Sequence, residues 1–547
     1  MHMEVLSLGG FDSFGADVRR PVIIAFLFFI GCSLLWASVL VTAQENSPER
    51  LYVANRSLSP VLNGFAMAGE QITAVSLLAI PGAIVLLGYD GVIVAIDALI
   101  GLGIALLFTQ KIRNSGCYTL GDIFGLRASG RAPGIAAALV TLTISIPVIL
   151  IQIRAIGIGV SLLIGASTAQ SQVICTVAVG FLVACFAAVA DLRGTTFIHV
   201  VKVPLTLMAM ALVTLLALKQ FEWDPASLLS AAVNGSAVPD KYLSPGMWPY
   251  ATVLGPLDDV AAHAVAVLGT AVAPHLILRI NASRTGQSAR RSMSIAVTLT
   301  GAFIALLITA GLAATAVVGT DRIAQIDGNG QSALFLLASE VLDDGSTARV
   351  ALITTIACVT FLGVLTSVSS VTFAAGVSLA HDVFVQHRRR HTETSEFLVL
   401  RLTVVILCAV GLSLSAATHL LQVEFLITFA LSVAASCILP ALIYSFFWRR
   451  FNGRGLLWSV YGGLLLCTIL VVFSPSVSGS PHALWPEVNF AWYPFQTPGL
   501  VSVPAAFLIG WIGSVTSPGN SQRDFAALEY TLLTGRHPGQ TPVSHKQ

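Results

Sequence analysis

The chain has 547 residues, of which 55% are hydrophobic and 10% charged, and its mean hydropathy is +0.84. Soluble domains carry about a quarter charged residues, so this composition excludes a water-soluble globular protein and describes a chain solvated mostly by lipid. A net charge of +2, with no basic block set apart from the apolar segments, gives no support to nucleic-acid binding.

A polar segment, 1–20, leads into an apolar stretch at 21–43. Further stretches run over 59–87, 91–109, 133–165, 171–190, 195–217, 254–279, 294–319, 348–384, 397–418, 421–448, 456–474 and 499–516, which makes about thirteen spans. A helix needs about 20 apolar residues to cross a bilayer core, and these stretches have that length. They must be helices, because an open strand would leave backbone groups unpaired in lipid. The alternation of a barrel strand is absent. The segments 220–250 and 321–346 read as modest outer loops, and 519–547 as a polar tail. Seven of the eight cysteines fall within apolar stretches and Cys117 between them; no CxxC pair is present, so they read as small apolar side chains.

Lys and Arg set the direction. With the N-terminus outside, the inner segments collect Lys111, Arg113, Arg127, Arg131, Arg290, Arg291, Arg388, Arg389, Arg390, Arg449, Arg450 and Arg454 among others. The outer ones hold only Arg19, Arg20, Lys219, Lys241, Arg322 and Arg349. This asymmetry places the C-terminus in the cytoplasm of a multi-pass cell-membrane protein. Val41-Thr42-Ala43 resembles a signal-peptide cleavage site, but the apolar stretch before it is long, and cleavage would turn every basic loop outward.

Two spans carry helix breakers. The stretch 59–87 contains Gly64, Gly69, Pro81 and Gly82; 254–279 contains Gly255, Pro256, Gly269 and Pro274. With the first helix set aside they are the first and sixth of ten, the pattern of an inverted-repeat transporter with unwound backbone lining a cavity. Small breakers are also common in membrane helices generally.

Charge inside a span is costly and marks candidates. Glu70 lies beside Gly69 and reads as a cation ligand, a proton carrier or an ion-pair partner. Asp97 reads as a structural hydrogen-bond acceptor. Arg154 could meet a substrate carboxylate, or pair with Glu70 or Asp97. Lys202 and Arg279 fall toward inner helix ends, where snorkelling is expected. The run Gly363-Val364-Leu365-Thr366-Ser367-Val368-Ser369-Ser370 is rich in hydroxyls, which suit either a hard cation or helix packing. The chain has no GxxxxGK[ST] phosphate loop, no HExxH and no GxSxG elbow, so neither an ATP motor nor an enzyme is expected.

Several stretches, in order over about residues 51–537, resemble the sodium:solute symporter family and its cation/acetate symporter branch. They include Leu51-Tyr52-Val53-Ala54-Asn55-Arg56, Asn63-Gly64-Phe65-Ala66-Met67-Ala68-Gly69, Gly88-Tyr89-Asp90-Gly91 and Tyr118-Thr119-Leu120-Gly121-Asp122. Gly194-Thr195-Thr196-Phe197 with Lys202, Gly269-Thr270-Ala271 with Pro274-His275 and Arg279, Ser378-Leu379-Ala380-His381-Asp382, and Phe447-Trp448-Arg449-Arg450-Phe451-Asn452 continue the series.

The resemblance implies an all-α LeuT-like fold: a five-plus-five inverted repeat over 59–448, one extra helix at 21–43 and two at 456–516. It implies symport by alternating access, with a small monocarboxylate and a coupling cation as partners. The sodium positions carried over are Gly69 and Ile72 in the first repeat helix, with Gly363, Thr366 and Ser367 in the eighth; the hydroxyls favour sodium over a proton. Substrate positions carried over are Glu70, Gln71, Gln152 and His275, to which Arg154 is added from its charge. The branch has Asp where Glu70 stands, Gln where His199 stands and Asn where Ile438 stands. These departures put acetate itself in question and leave a small carboxylate as the expected solute, the alternatives being proton- or sodium-coupled symport of another small solute (an amino acid, vitamin or sugar) or a membrane sensor of the same fold that no longer transports.

Overall fold

The computed structural model describes residues 15–42, 48–165, 169–247, 254–343, 346–385, 393–417, 423–480, 483–517 and 522–536. Helices dominate throughout; among the described residues the extended pairings are two isolated bridges. In chain order the helices are Gly15–Thr42 (α1), Pro48–Val53 (α2), Pro60–Gln71 (α3), Ala74–Leu87 (α4), Tyr89–Asn114 (α5), Leu120–Gly125 (α6), Ala132–Ile164 (α7), Ala169–Val189 (α8) and Leu192–Gln220 (α9). Then come Pro225–Gly235 (α10), Gly255–Ala271 (α11), Pro274–Asn281 (α12), Gly286–Val317 (α13), Thr320–Ile326 (α14), Ala333–Glu340 (α15) and Thr347–Val377 (α16). After α16 the chain widens into a π-helical stretch, Ser378–Val385. Glu393–Ala417 (α17), Val423–Val433 (α18), a π turn at Ala434–Ile438, Leu439–Phe447 (α19), Gly453–Val472 (α20), Gly499–Val515 (α21) and Gln522–Thr534 (α22) complete it.

Among the described residues ten helices are long and apolar enough to cross a bilayer, and the bent pair of α3 and α4 makes eleven. Their outward faces carry large exposed apolar side chains such as Leu107, Met208 and Leu465, the surface a bilayer covers.

The first break lies at Ile72–Thr73, where α3 and α4 bend by 50°. It is made by neither glycine nor proline. Thr73 is extended and starts α4 with a capping box: its hydroxyl accepts from Ser76 N, and Ser76 Oγ accepts from Thr73 N. Pro81, expected as a breaker, sits inside α4 without interrupting it. The second break, at Val272–Ala273, is made by proline: Pro274 opens α12 and Ala273 before it is extended.

The segment 321–346, expected as a loop, holds α14 and α15. Residues 333–339 of α15 are all buried, because the run Leu334-Phe335-Leu336-Leu337 packs among α4, α13 and α16. Helix α16 belongs to the most enclosed of the long apolar spans, with an unbroken buried run from Ile356 to Val377. Helix α1 leans on it through an edge-to-face contact of Phe26 with Phe361, centroids 5.1 Å apart.

A tethered cation at the broken helices

Lys202 and Arg279 do not snorkel. Both are 0% exposed, and each is held by partners on several helices.

Helix α9 presents Thr195, Thr196, His199 and Lys202 along one side. The spacing of three or four residues stacks them on one face, turned toward the α3–α4 break and α16. The Lys202 ammonium donates to Gly69 O at 2.7 Å, Ile72 O at 2.8 Å and Thr366 Oγ1 at 2.9 Å. An ammonium has three N–H donors, and these three acceptors use them all. The distances are those of charge-assisted hydrogen bonds. The carbonyls are available because α3 ends here: past the break, the ladder no longer supplies N–H groups to every carbonyl.

Three of the five residues expected around a sodium ion, Gly69, Ile72 and Thr366, therefore converge on one point, and that point is Lys202 Nζ. Gly363 and Ser367 stand beside it in other roles. Gly363 lets α16 touch the break; a Cβ there would lie 2.7 Å from Ala74 N. Its carbonyl accepts from Thr366 Oγ1 at 3.2 Å. Ser367 Oγ is buried and has no hydrogen-bond partner among the described residues. The oxygens suit an alkali ion by chemistry, but Lys202 leaves no place for one. A second monovalent cation about 4 Å away would be repelled by about 4 kcal/mol at an effective dielectric of 20.

Next to this point lies the Glu70–Arg279 ion pair, Nε to Oε1 at 2.9 Å, both side chains 1% exposed. The guanidinium also donates to Leu192 O at 3.2 Å, Thr196 Oγ1 at 2.7 Å, Thr195 Oγ1 at 2.9 Å and Ser370 Oγ at 3.2 Å. Ser370 Oγ in turn donates to Glu70 Oε1 at 2.7 Å. All five guanidinium N–H groups are thus engaged, and α3, α9, α12 and α16 are tied at one residue. His199 Nε2 lies 3.4 Å from Glu70 Oε1. Its ring fills the space Gly69 leaves: a Cβ on Gly69 would come within 2.1 Å of His199 Nδ1.

Of the residues expected at the substrate, Glu70 is thus committed to Arg279. Asp97 is held by His263, Nδ1 to Oδ2 at 2.6 Å, so these acids take partners other than Arg154. Arg154 is buried on α7. Gln152, also on α7, is buried and its Oε1 accepts no hydrogen bond among the described residues. The neighbouring Leu150 and Ile151 pack with Val75, just past the first break. Gln71 is half-buried at the end of α3. His275 follows Pro274 in the first turn of α12 and lies within the electrostatic field of Glu70. Composition alone gave no sign that Lys202, Thr195 and Thr196 belong to the site; the helical spacing on α9 was the signal.

A second cluster closes the end of the molecule bearing α2 and α6. Asp382 accepts from Thr119 Oγ1 at 2.5 Å and Ser378 Oγ at 2.7 Å. His381 Nε2 lies 3.2 Å from Asp122 Oδ1, and Tyr52 donates to Glu396. Burial opposes ionisation of Asp122, but His381 and the backbone N–H groups of Tyr118 and Thr119 hold its carboxyl below the usual range. Gly121 is needed here, since a Cβ would meet Asp382 Cγ at 2.3 Å.

The sodium:solute symporter family model matches residues 51–463. The chain belongs to the sodium:solute symporter family. A monocarboxylic acid transporter of Corynebacterium glutamicum is 31% identical over 539 residues, 96% of this chain and 97% of the relative. A symporter of Bacillus subtilis described as uncharacterized is 28% identical over 534 residues, 96% of this chain and all of the relative. Among solved structures, a Na+-coupled sialic acid symporter matches with a TM-score of 0.71 at 12% identity, over 92% of this chain and 98% of that one. A nucleobase-cation-symport-1 family transporter matches with a TM-score of 0.51 at 14% identity, over 89% and 99%. The family member described here is an integral, multi-pass membrane protein with a LeuT-like fold and is a secondary transporter, not an enzyme.

Proposed function

We propose that this symporter carries a small, acetate-like monocarboxylate inward by alternating access, with its N-terminus outside and its C-terminus in the cytoplasm. The observation that supports this most is the near full-length similarity to a protein named a monocarboxylic acid transporter. The buried charge agrees with it. Glu70, Arg279 and Lys202 together leave one net positive charge in the core, and a buried charge is stabilised by an opposite one. A monocarboxylate supplies it. Gln71, Gln152, Arg154 and His275 are the side chains proposed to meet the solute around the two breaks. Family membership supports sodium as the ion whose gradient drives uptake.

In this cycle the α3–α4 bend and the Pro274 break are the places where the helices hinge. The cluster around Asp382, Asp122 and His381 opens to release solute inside. Each ligand moves the equilibrium only by its differential affinity for the two states. The test is uptake of radiolabelled acetate, propionate and pyruvate into proteoliposomes, with proline and glucose as competitors. Saturable uptake competed by short carboxylates is expected; uptake of proline or glucose, with no carboxylate transport, would contradict the reading.

A further inference from the structure

We propose that Lys202 is itself the cation of this site: a covalently attached ammonium standing where the family's ligand set would hold an alkali ion, so that the site works without binding sodium. The proposal deepens the symport reading, on which it depends only for taking this point to be part of the transport core.

Three observations carry it. The acceptors around Lys202 Nζ are two carbonyls freed by a helix break and one hydroxyl from α16. That is an oxygen set for a hard cation, assembled from the elements that would clasp a diffusible ion. The ammonium is saturated by it, so nothing in its bonding calls for a further partner. Ser367 Oγ, one residue along α16, remains buried without a partner, as a hydroxyl would if the fold retained one more ligand than the lysine uses.

Two consequences follow. The link between α3, α9 and α16 that a bound ion would make and break with each cycle is permanent here. The positive charge beside the solute is likewise present before any ion arrives. An ion gradient that drives this transporter must therefore act at another place in the molecule.

The experiment uses the purified full-length protein and radioactive sodium alone as the probe. Wild type, Thr366→Val, Lys202→Ala and Lys202→Ala/Thr366→Val are compared by equilibrium binding, and their thermal unfolding is followed in sodium and in choline chloride. Removing the lysine leaves Gly69 O, Ile72 O and Thr366 Oγ1 without their cation. Lys202→Ala is expected to gain saturable sodium binding and a sodium-dependent rise in its unfolding midpoint, both lost in the double variant. Wild type and Thr366→Val are expected to bind sodium equally. Sodium binding by wild type that Thr366→Val abolishes would overturn the proposal, as would a folded Lys202→Ala that gains none. If Lys202→Ala does not accumulate, the wild-type and Thr366→Val pair decides: equal binding supports, loss overturns. Carboxylate uptake is measured on the same preparations, and its absence would fault the symport reading alone.

Discussion

The centre of the bundle and its α2–α6 end are both rich in buried charge, yet they are built differently. At the centre, Arg279 and Lys202 have every N–H engaged by partners on two or three other helices. At the end, three acids, Asp122, Asp382 and Glu396, face one histidine and a few hydroxyls. A saturated knot stays shut through a transport cycle, because opening it exposes bare charges to a low dielectric. A cluster in which hydroxyls and one partly exposed histidine face the carboxylates opens at lower cost, about 1.5–3 kcal/mol per bond. In the proposed cycle that difference would make the first a fixed pivot and the second a gate.

The largest expected effect breaks the pivot. Arg279→Met leaves Glu70 buried without its ion-pair partner, at a cost of about 3–5 kcal/mol. Thermal unfolding in detergent should fall sharply, and adding Glu70→Gln should restore much of it. A double variant as unstable as the single one would mean the two are not coupled. Next comes Gly69→Ala, whose new Cβ must displace the His199 ring. A loss of about 1–3 kcal/mol is expected from overpacking, with partial rescue by His199→Ala.

The gate should respond more weakly, and in opening rather than in stability. Tyr52→Phe removes the donor to Glu396 and should favour opening by about 1.5 kcal/mol, roughly a tenfold shift. Cys117, buried next to Tyr118 with its thiol pushed up to about 12 by burial, is a native reporter. Its maleimide labelling, mapped by mass spectrometry, should rise by that factor in Tyr52→Phe. Unchanged labelling would remove Tyr52 from the gate. Smallest of all, Asp97→Asn keeps an acceptor for His263 and should move stability by less than about 1 kcal/mol.

How much of this was legible in the chain depends on range. Most spans were plain, since apolar length is a local property; about thirteen were expected, and ten or eleven stand among the described residues. The first break was placed in the right helix for the wrong reason: Gly64, Gly69 and Pro81 drew attention, whereas Thr73 and Ser76 make the break by capping. A T-x-x-S box inside an apolar run was the available signal. The Glu70–Arg279 pair joins residues 209 positions apart, and no local pattern reveals such a partner. Lys202 was misread because its distance from the helix end was weighed and its face was not; Thr195, His199 and Lys202 share a stripe that lipid would not tolerate. The α2–α6 cluster draws on four separate segments, so most of its residues appeared only as scattered matches to relatives, and Glu396 did not appear at all.

The central claim is that the cation between the broken helix and α16 is part of the chain. A density map of the protein in lipid nanodiscs, determined once in sodium chloride and once in choline chloride, tests it directly. Density between Gly69 O, Ile72 O and Thr366 Oγ1 should be the same in both and continuous with the Lys202 side chain. A separate peak present only in sodium, with Lys202 turned away, would contradict the account.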